Sequence, residues 1–141
     1  MEHEIDFYEL LRSSAQLIRE GRFAELDAET LADELEAMSN SQRRELRSRL
    51  RQLIMHLLKW QYQPGRRSQT WIHSIINQRR EIQDVLKDSP SLKPALSEIS
   101  REVWKDARED AAKETGLSIK IIPVECPYTL EQVLDGDFMP E

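Results

Sequence analysis

Residues 39–64, SNSQRRELRSRLRQLIMHLLKWQYQP, decide the fold. Apolar side chains recur every three or four residues, which is the spacing of one face of a helix, at Leu46, Leu50, Leu53, Leu57 and Trp60. Ser39 with Gln42 has the pattern of a capping box, and Pro64-Gly65 is a stop signal. A second stripe covers the other flank of the last two turns, at Met55, Leu58 and Tyr62. We predict a central helix over residues 39–63 whose second half is surrounded by neighbours.

Helix signals also occur on both sides of this stretch. Residues 6–20 have one apolar face and end at Gly21, and Asp27 caps a shorter segment that places Leu35 and Met38 inward. The serines and asparagine at 39–41 then predict a break or a kink. A third helix is predicted from residue 68 to about 87, and a fourth begins near Pro90 and ends at Gly116.

The last 25 residues differ in character. Isoleucines, valine and prolines over residues 119–127 predict an extended segment packed on the helices, and Thr129 with Gln132 predicts a final capped turn through Leu134. We therefore predict an all-α fold, a bundle of four to five helices around a long central helix. The whole chain, residues 1–141, is predicted to be one domain with residues 117–141 packed on the bundle.

Charge is unevenly distributed along the chain. Residues 1–38 carry 3 basic and 11 acidic side chains, residues 39–87 carry 11 and 3, and residues 88–141 carry 6 and 12. The net charge of −6 and the absence of a long apolar run argue against a general affinity for nucleic acid or membrane. One cysteine, Cys126, permits no internal disulfide. We expect a cytoplasmic protein with no membrane partner.

Arg79 is the least expected residue of the third helix. By helical angle it lies within an isoleucine stripe, and an unpaired buried charge costs several kcal/mol, roughly 3–5 when a partner is lost. We predict that Asp106 or Asp110 of the fourth helix pairs with it.

Metal and thiol chemistry have little support. None of His3, His56 and His73 follows a glutamate by three residues, so the di-iron signature of helical bundles is absent. The carboxylates of Asp106, Asp110 and Glu114, spaced by four, suit either a hard cation or pairing with the basic middle segment, and we favour the pairing. Cys126 has an acidic neighbour that raises a thiol pKa, so a catalytic thiol is not favoured. We expect no cofactor.

The basic middle segment has two interpretations. Arg43, Arg44, Arg47 and Arg51 form a basic ridge that either contacts nucleic-acid phosphates or pairs internally with the acidic second and fourth helices. The acidic segments on either side favour internal pairing.

Arg51 precedes His56 by five residues, and Arg67 precedes His73 by six. All-helical ribonucleases of the group named for higher-eukaryote and prokaryote nucleotide binding use such pairs, which makes Arg51 and His56 candidate catalytic residues.

An ordered set of phrases resembles a known family. These are DFYELL, LRQLIMHLLKWQYQP, RRSQTW, DSPSLKP, REDAAKETGL and ECPYTLEQVLDGDF. They are similar to a bacterial family catalogued as domain of unknown function 29, abundant in cyanobacteria and proteobacteria, and the resemblance runs over residues 6–140. It implies an all-helical fold and brings no activity or catalytic residue.

Two functions remain open. The favoured one is a non-catalytic helical module that binds another protein or itself, with Trp71, Trp104 and Tyr62 as anchors if they are exposed. The alternative is a metal-independent RNA-binding or RNA-cleaving protein that uses Arg51 and His56.

Overall fold

The computed structural model describes residues 6–141. Within them the chain forms five α-helices and no strand. They are α1 (Phe7–Arg19), α2 (Ala28–Tyr62), α3 (Gln69–Asp88), α4 (Leu96–Thr115) and α5 (Leu130–Leu134). Short 3-10 turns occupy Phe23–Glu25, Pro64–Arg66, Pro90–Ala95 and Ile119–Ile121. The prediction of an all-α fold around a long central helix is confirmed.

The central helix is longer than the sequence indicates. α2 begins at Ala28 and continues for 35 residues, so of the break or kink predicted at residues 39–41 the break is wrong and the kink stays a prediction. The capping box of Ser39 with Gln42 is wrong, because both residues lie inside the helix. Serine and asparagine cost only about 0.5 kcal/mol each within a helix, which favourable neighbours offset. Gln42 instead uses its side chain as an acceptor, at 2.5 Å from the Ser89 hydroxyl after α3.

Most of the other predicted helix ends agree closely with the structure. The start of the fourth helix near Pro90 is wrong, because Pro90–Ala95 form a 3-10 turn and α4 begins at Leu96. The side chains of Asp6, Asp27 and Ser68 each accept a hydrogen bond from a backbone N–H three residues ahead. Gly116 ends α4 with φ +74, a left-handed conformation that glycine adopts at little cost. Thr129 and Gln132 form the predicted capping box at α5.

The chain divides into two compact units, residues 1–41 and 42–141, each of which we describe by itself. We call them the N-terminal unit and the main unit. α2 crosses the boundary without interruption, and the boundary coincides with the serine- and asparagine-rich residues that suggested a break. The prediction of a single domain stays a prediction.

The main unit contains the apolar core. The second half of α2 contributes most of its fully buried large side chains: Leu46, Leu50, Leu53, Ile54, Leu57 and Leu58. α3 adds Ile75 and Ile82, and α4 adds Ile99 with two small residues, Ala107 and Ala111. Burial on nearly every side of α2 confirms that its second half is surrounded by neighbours.

The N-terminal unit buries much less. Ser14 is its one buried residue among those that the structure describes. Leu35 is 57% exposed and Met38 is 50% exposed, so the prediction that both point inward is wrong. The apolar spacing on this part of α2 is that of a buried face, but the short α1 does not cover these two side chains.

The tail packs on the main unit without becoming a strand. Ile122, Tyr128 and Val133 join the core, and residues 119–121 form a 3-10 turn rather than the predicted extended segment. Hydrogen bonds to backbone carbonyls tie the tail to α4. The Arg108 guanidinium donates to Ile119 and Ile122, and the Trp104 indole donates to Val124 at 2.7 Å.

Arg79 binds backbone carbonyls at the end of the tail. The prediction that it pairs with Asp106 or Asp110 is therefore wrong. Its guanidinium is buried at 6% exposure and donates to the carbonyl oxygens of Val133 at 2.9 Å, Phe138 at 2.8 Å and Gln132 at 3.3 Å. Burial lowers the pKa of Arg79, and nearby Asp135 raises it. A planar fork of five N–H donors suits several carbonyl oxygens at once.

Across residues 6–141, every helix falls short of the length and apolarity needed to cross a bilayer.

Candidate functional site

The predicted basic ridge lies along α4. Arg43 contacts Glu102 at 3.1 Å, Arg47 contacts the same carboxylate at 3.6 Å, and Arg51 forms two hydrogen bonds with Asp110 at 2.6 and 2.9 Å. Internal pairing therefore accounts for three of the four ridge arginines. Arg44, the fourth, is exposed and takes part in none of the ion pairs formed by residues 6–141. The carboxylates that pair with these three arginines lie on α4.

Arg51 and His56, the two candidate catalytic residues, line one groove between α2 and α4. Its volume is about 600 Å³, and its walls are Ser48, Arg51, Gln52, Met55, His56, Asp110, Lys113 and Glu114. We call it the Arg51 groove. Two cations face two carboxylates in it, so the charges balance when His56 is neutral. A groove built to attract RNA phosphates carries an excess of positive charge instead.

The imidazole ring of His56 is oriented by a hydrogen bond, and its surroundings disfavour the charged, doubly protonated form. Nδ1 lies 2.8 Å from the carbonyl oxygen of Gln52, and because a carbonyl only accepts, Nδ1 carries the proton. Burial lowers the His56 pKa, Lys59 lowers it further, and the Gln52 bond and Glu114 oppose this. A neutral ring leaves Nε2 unprotonated, so His56 can accept a proton at neutral pH. Asp110 holds Arg51 and raises the pKa of Arg51.

This environment predicts how His56 responds to pH. The pKa of His56 is lower in the folded protein than in the unfolded chain. The unfolded chain therefore binds more protons at His56, and this residue favours unfolding as the pH falls. That contribution is absent above the usual value of 6.5 and grows as pH drops below it. We expect the ring proton signals of His56 to titrate below 6.5 by NMR. A midpoint above 6.5 would show that the carboxylates of the groove outweigh burial.

The carboxylate row of α4 is used in ion pairs. Asp106 lies 3.8 Å from Arg51, Asp110 is bound by the same guanidinium, and Glu114 lies 3.6 Å from Lys59. Within residues 6–141, no group of three or more histidine, cysteine or acidic side chains is placed to hold a metal ion. The pairing that the sequence favoured for this row is thus present.

Cys126 lies in a setting that keeps its thiol protonated. It is partly buried, and burial raises its pKa, while a backbone hydrogen bond from Tyr128 to the sulfur opposes this. The direction agrees with the sequence prediction, but its main cause is burial and not the acidic neighbour.

The three aromatic side chains proposed as anchors are partly buried. Tyr62 and Trp104 pack against the core, and the Lys59 ammonium lies 4.9 Å from the ring centre of Trp71. Exposed apolar side chains are concentrated elsewhere. Of the nine large ones among residues 6–141, six lie in the N-terminal unit: Phe7, Tyr8, Ile18, Phe23, Leu35 and Met38. We call these six the exposed apolar set.

The spacing of the exposed apolar set is visible in the sequence, but spacing alone does not show whether these side chains are buried or exposed. Phe7 and Ile18 are eleven residues apart, about three helical turns, so they share one side of α1. Leu35 and Met38 are three apart and adjacent on α2. Each pattern fits a covered face or an open one. What distinguishes the two cases is the exposed fraction of these side chains in the structure.

The fold and these surfaces define an all-α protein with a long central helix. The chain belongs to the family described as Domain of unknown function DUF29, whose model matches residues 3–139. No curated protein and no solved structure matches the chain.

Proposed function

We propose that this protein is a non-catalytic helical interaction module that binds a basic amphipathic helix of another protein through the exposed apolar set. The observation that carries the proposal is the concentration of six large exposed apolar side chains within residues 7–38. Large apolar side chains grouped on a folded surface mark contact sites, whereas scattered ones need no explanation.

The contrast within α2 supports this interpretation. In its second half the apolar residues are almost completely buried, and in its first half Leu35 and Met38 are half exposed or more. One helix therefore serves as core in the main unit and offers uncovered apolar surface in the N-terminal unit. Covering a side chain of this size is worth roughly 1.5–3 kcal/mol, which makes this surface a favourable place for a partner.

The charge around the set indicates the chemistry of the partner. Residues 6–38 carry nine carboxylates, from Asp6 to Glu36, against three arginines, Arg12, Arg19 and Arg22. Exposed apolar side chains in a unit rich in carboxylates complement a helix with an apolar stripe flanked by lysine or arginine. A second copy of this chain would bring the same acidic surface against itself. Binding to another protein is therefore favoured over self-association.

A designed peptide tests this directly. We would titrate the protein with a helical leucine–lysine peptide, using as a control a leucine–glutamate peptide with the same apolar stripe. We expect the basic peptide alone to bind. Leu35→Ser should weaken binding roughly 10-fold, since a well-packed anchor contributes on the order of 1–2 kcal/mol. Isothermal calorimetry gives the dissociation constants.

Ile121→Ser is the matched control variant. The exposed fraction of Ile121 is 53%, similar to the 57% of Leu35, but Ile121 lies in the tail of the main unit. Its loss should leave the affinity unchanged. Equal weakening by both variants, or equal binding of the two peptides, would contradict the proposal. Light scattering on the free protein is the accompanying check, and a stable dimer that Leu35→Ser dissolves would assign the set to self-association.

A second candidate function rests on the Arg51 groove, which is lined by both His56 and Arg51. In RNA cleavage without metal, a neutral histidine can act as general base and an arginine can stabilise phosphate charge. The charge balance of the groove and the bidentate Asp110 contact oppose this function. We expect no cleavage of a single-stranded RNA by the protein, with or without a chelator. Cleavage that survives the chelator and disappears in His56→Ala would replace the interaction module as the leading proposal.

A further inference from the structure

A cleft between α4 and the tail of the main unit combines apolar walls with unused charges. It has a volume of about 460 Å³, within the range of about 300–1,000 Å³ typical of small-molecule sites. Its walls are Ser97, Ser100, Arg101, Trp104, Val124, Glu125, Cys126, Tyr128 and Leu130. We call it the tail cleft.

The polar atoms of its aromatic wall are already occupied. The Trp104 indole N–H donates to the carbonyl oxygen of Val124 at 2.7 Å, and the Tyr128 hydroxyl donates to the side chain of Gln61 at 2.6 Å. The Cys126 thiol donates weakly to the backbone of Tyr128. What these residues still offer a ligand is apolar surface, and Leu130 and Val124 extend it.

The charged groups of the cleft form no ion pair or side-chain hydrogen bond within residues 6–141. On α4, residues 98, 102, 106, 110 and 114 form ion pairs and Arg108 binds the tail. Within residues 6–141, Lys105, Glu109 and Lys113 of α4 are also outside these contacts, but none of them lines the cleft. Arg101, which does line it, enters none of the ion pairs or side-chain hydrogen bonds formed among residues 6–141. The same holds for Glu125 and for the hydroxyls of Ser97 and Ser100. One cation, one carboxylate and two hydroxyls thus line an apolar cleft without protein partners.

We infer that the tail cleft binds a free aromatic α-amino acid. The α-carboxylate would meet Arg101 and the serine hydroxyls, the α-ammonium would meet Glu125, and the ring would lie against Trp104 and Leu130. A simple carboxylic acid would satisfy Arg101 and leave Glu125 close to a second negative charge. The zwitterion accounts for both charged groups, which is why we favour it.

The test uses phenylalanine and two analogues that each lack one charge. Phenylalaninamide has no carboxylate, and 3-phenylpropionate has no ammonium. We expect phenylalanine to bind with a dissociation constant below about 1 mM, seen as a shift of the Trp104 indole signal by NMR. Each analogue should bind at least roughly 10-fold more weakly, because a hydrogen-bonded charge contributes about 1.5–3 kcal/mol.

Two variants assign the charges. Arg101→Met should weaken the binding of phenylalanine roughly 10-fold without weakening that of phenylalaninamide. Glu125→Gln should weaken the binding of phenylalanine roughly 10-fold without weakening that of 3-phenylpropionate. Both residues are exposed, so neither change threatens folding. Arg80→Met and Glu36→Gln, exposed and outside the cleft, are the controls.

Three results would overturn the inference. They are no shift of the Trp104 signal at about 10 mM phenylalanine, equal binding of phenylalanine and 3-phenylpropionate, and affinities that neither variant changes. A phenylalanyl dipeptide, which retains the ammonium but displaces the carboxylate, should bind less tightly than the free amino acid. Tighter binding of the dipeptide would assign the cleft to a peptide end and contradict a free amino acid. None of these results bears on the exposed apolar set.

Discussion

Replacement of Leu53 by alanine lowers the free energy of unfolding by about 3 kcal/mol. Leu53 lies in the second half of α2, has no exposed surface and belongs to the core of the main unit. The substitution removes buried methyl groups and leaves a cavity that helices on several sides cannot close completely. Urea unfolding followed by circular dichroism measures the loss, as a shift of the midpoint with little change in slope.

The same substitution at Leu35 is the matched control. It lies on the same helix, but its side chain is 57% exposed, so we expect a change within about 0.5 kcal/mol. Equal losses at both positions would mean that the first half of α2 is covered in the folded protein, which would remove the basis for the exposed apolar set.

Replacement of Arg79 by methionine lowers the free energy of unfolding by a similar amount, about 3 kcal/mol, because the carbonyl oxygens that it binds lose their donors. Those oxygens belong to Gln132, Val133 and Phe138, on both sides of the last turn of the tail. The tail should therefore loosen before the rest of the main unit. Amide hydrogen exchange should show faster exchange after residue 128 and little change in α2.

Arg80 supplies the control for this prediction. It neighbours Arg79 on α3 but is exposed, and Arg80→Met removes the same charge from the same helix. We expect it to be nearly neutral. If Arg79→Met proved equally neutral, or if faster exchange spread evenly over the main unit, Arg79 would not be what fastens the tail.

Most of the helices could be predicted because their ends carry local chemistry. Asp6, Asp27, Ser68 and Thr129 cap helices by bonds to residues three positions away, and such bonds depend on nothing distant. The break at residues 39–41, one of the two alternatives predicted there, is absent for a related reason. Weak helix formers lower helix stability without ending a helix, and only contacts elsewhere, such as that of Gln42 with Ser89, decide whether it continues.

The surfaces were harder to predict because they depend on which residues meet across the fold. The helical angle of Arg79 predicted a carboxylate partner. Arg79 instead binds carbonyl oxygens of the tail that are 53 or more residues away in sequence. Pairing of Arg43, Arg47 and Arg51 followed from charge segregation, although the exact carboxylates did not. Exposure of Leu35 was not predictable from spacing, since spacing describes a face and not what covers it.

The central claim is that the exposed apolar set is a binding surface for a basic helix. The most direct measurement is a map of backbone NMR shifts as the leucine–lysine peptide is added to the whole protein. We predict shifts concentrated in residues 7–38, with their largest values near Phe23, Leu35 and Met38, and their loss in Leu35→Ser. Shifts centred on the Arg51 groove, or spread evenly over the acidic surface, would contradict the claim.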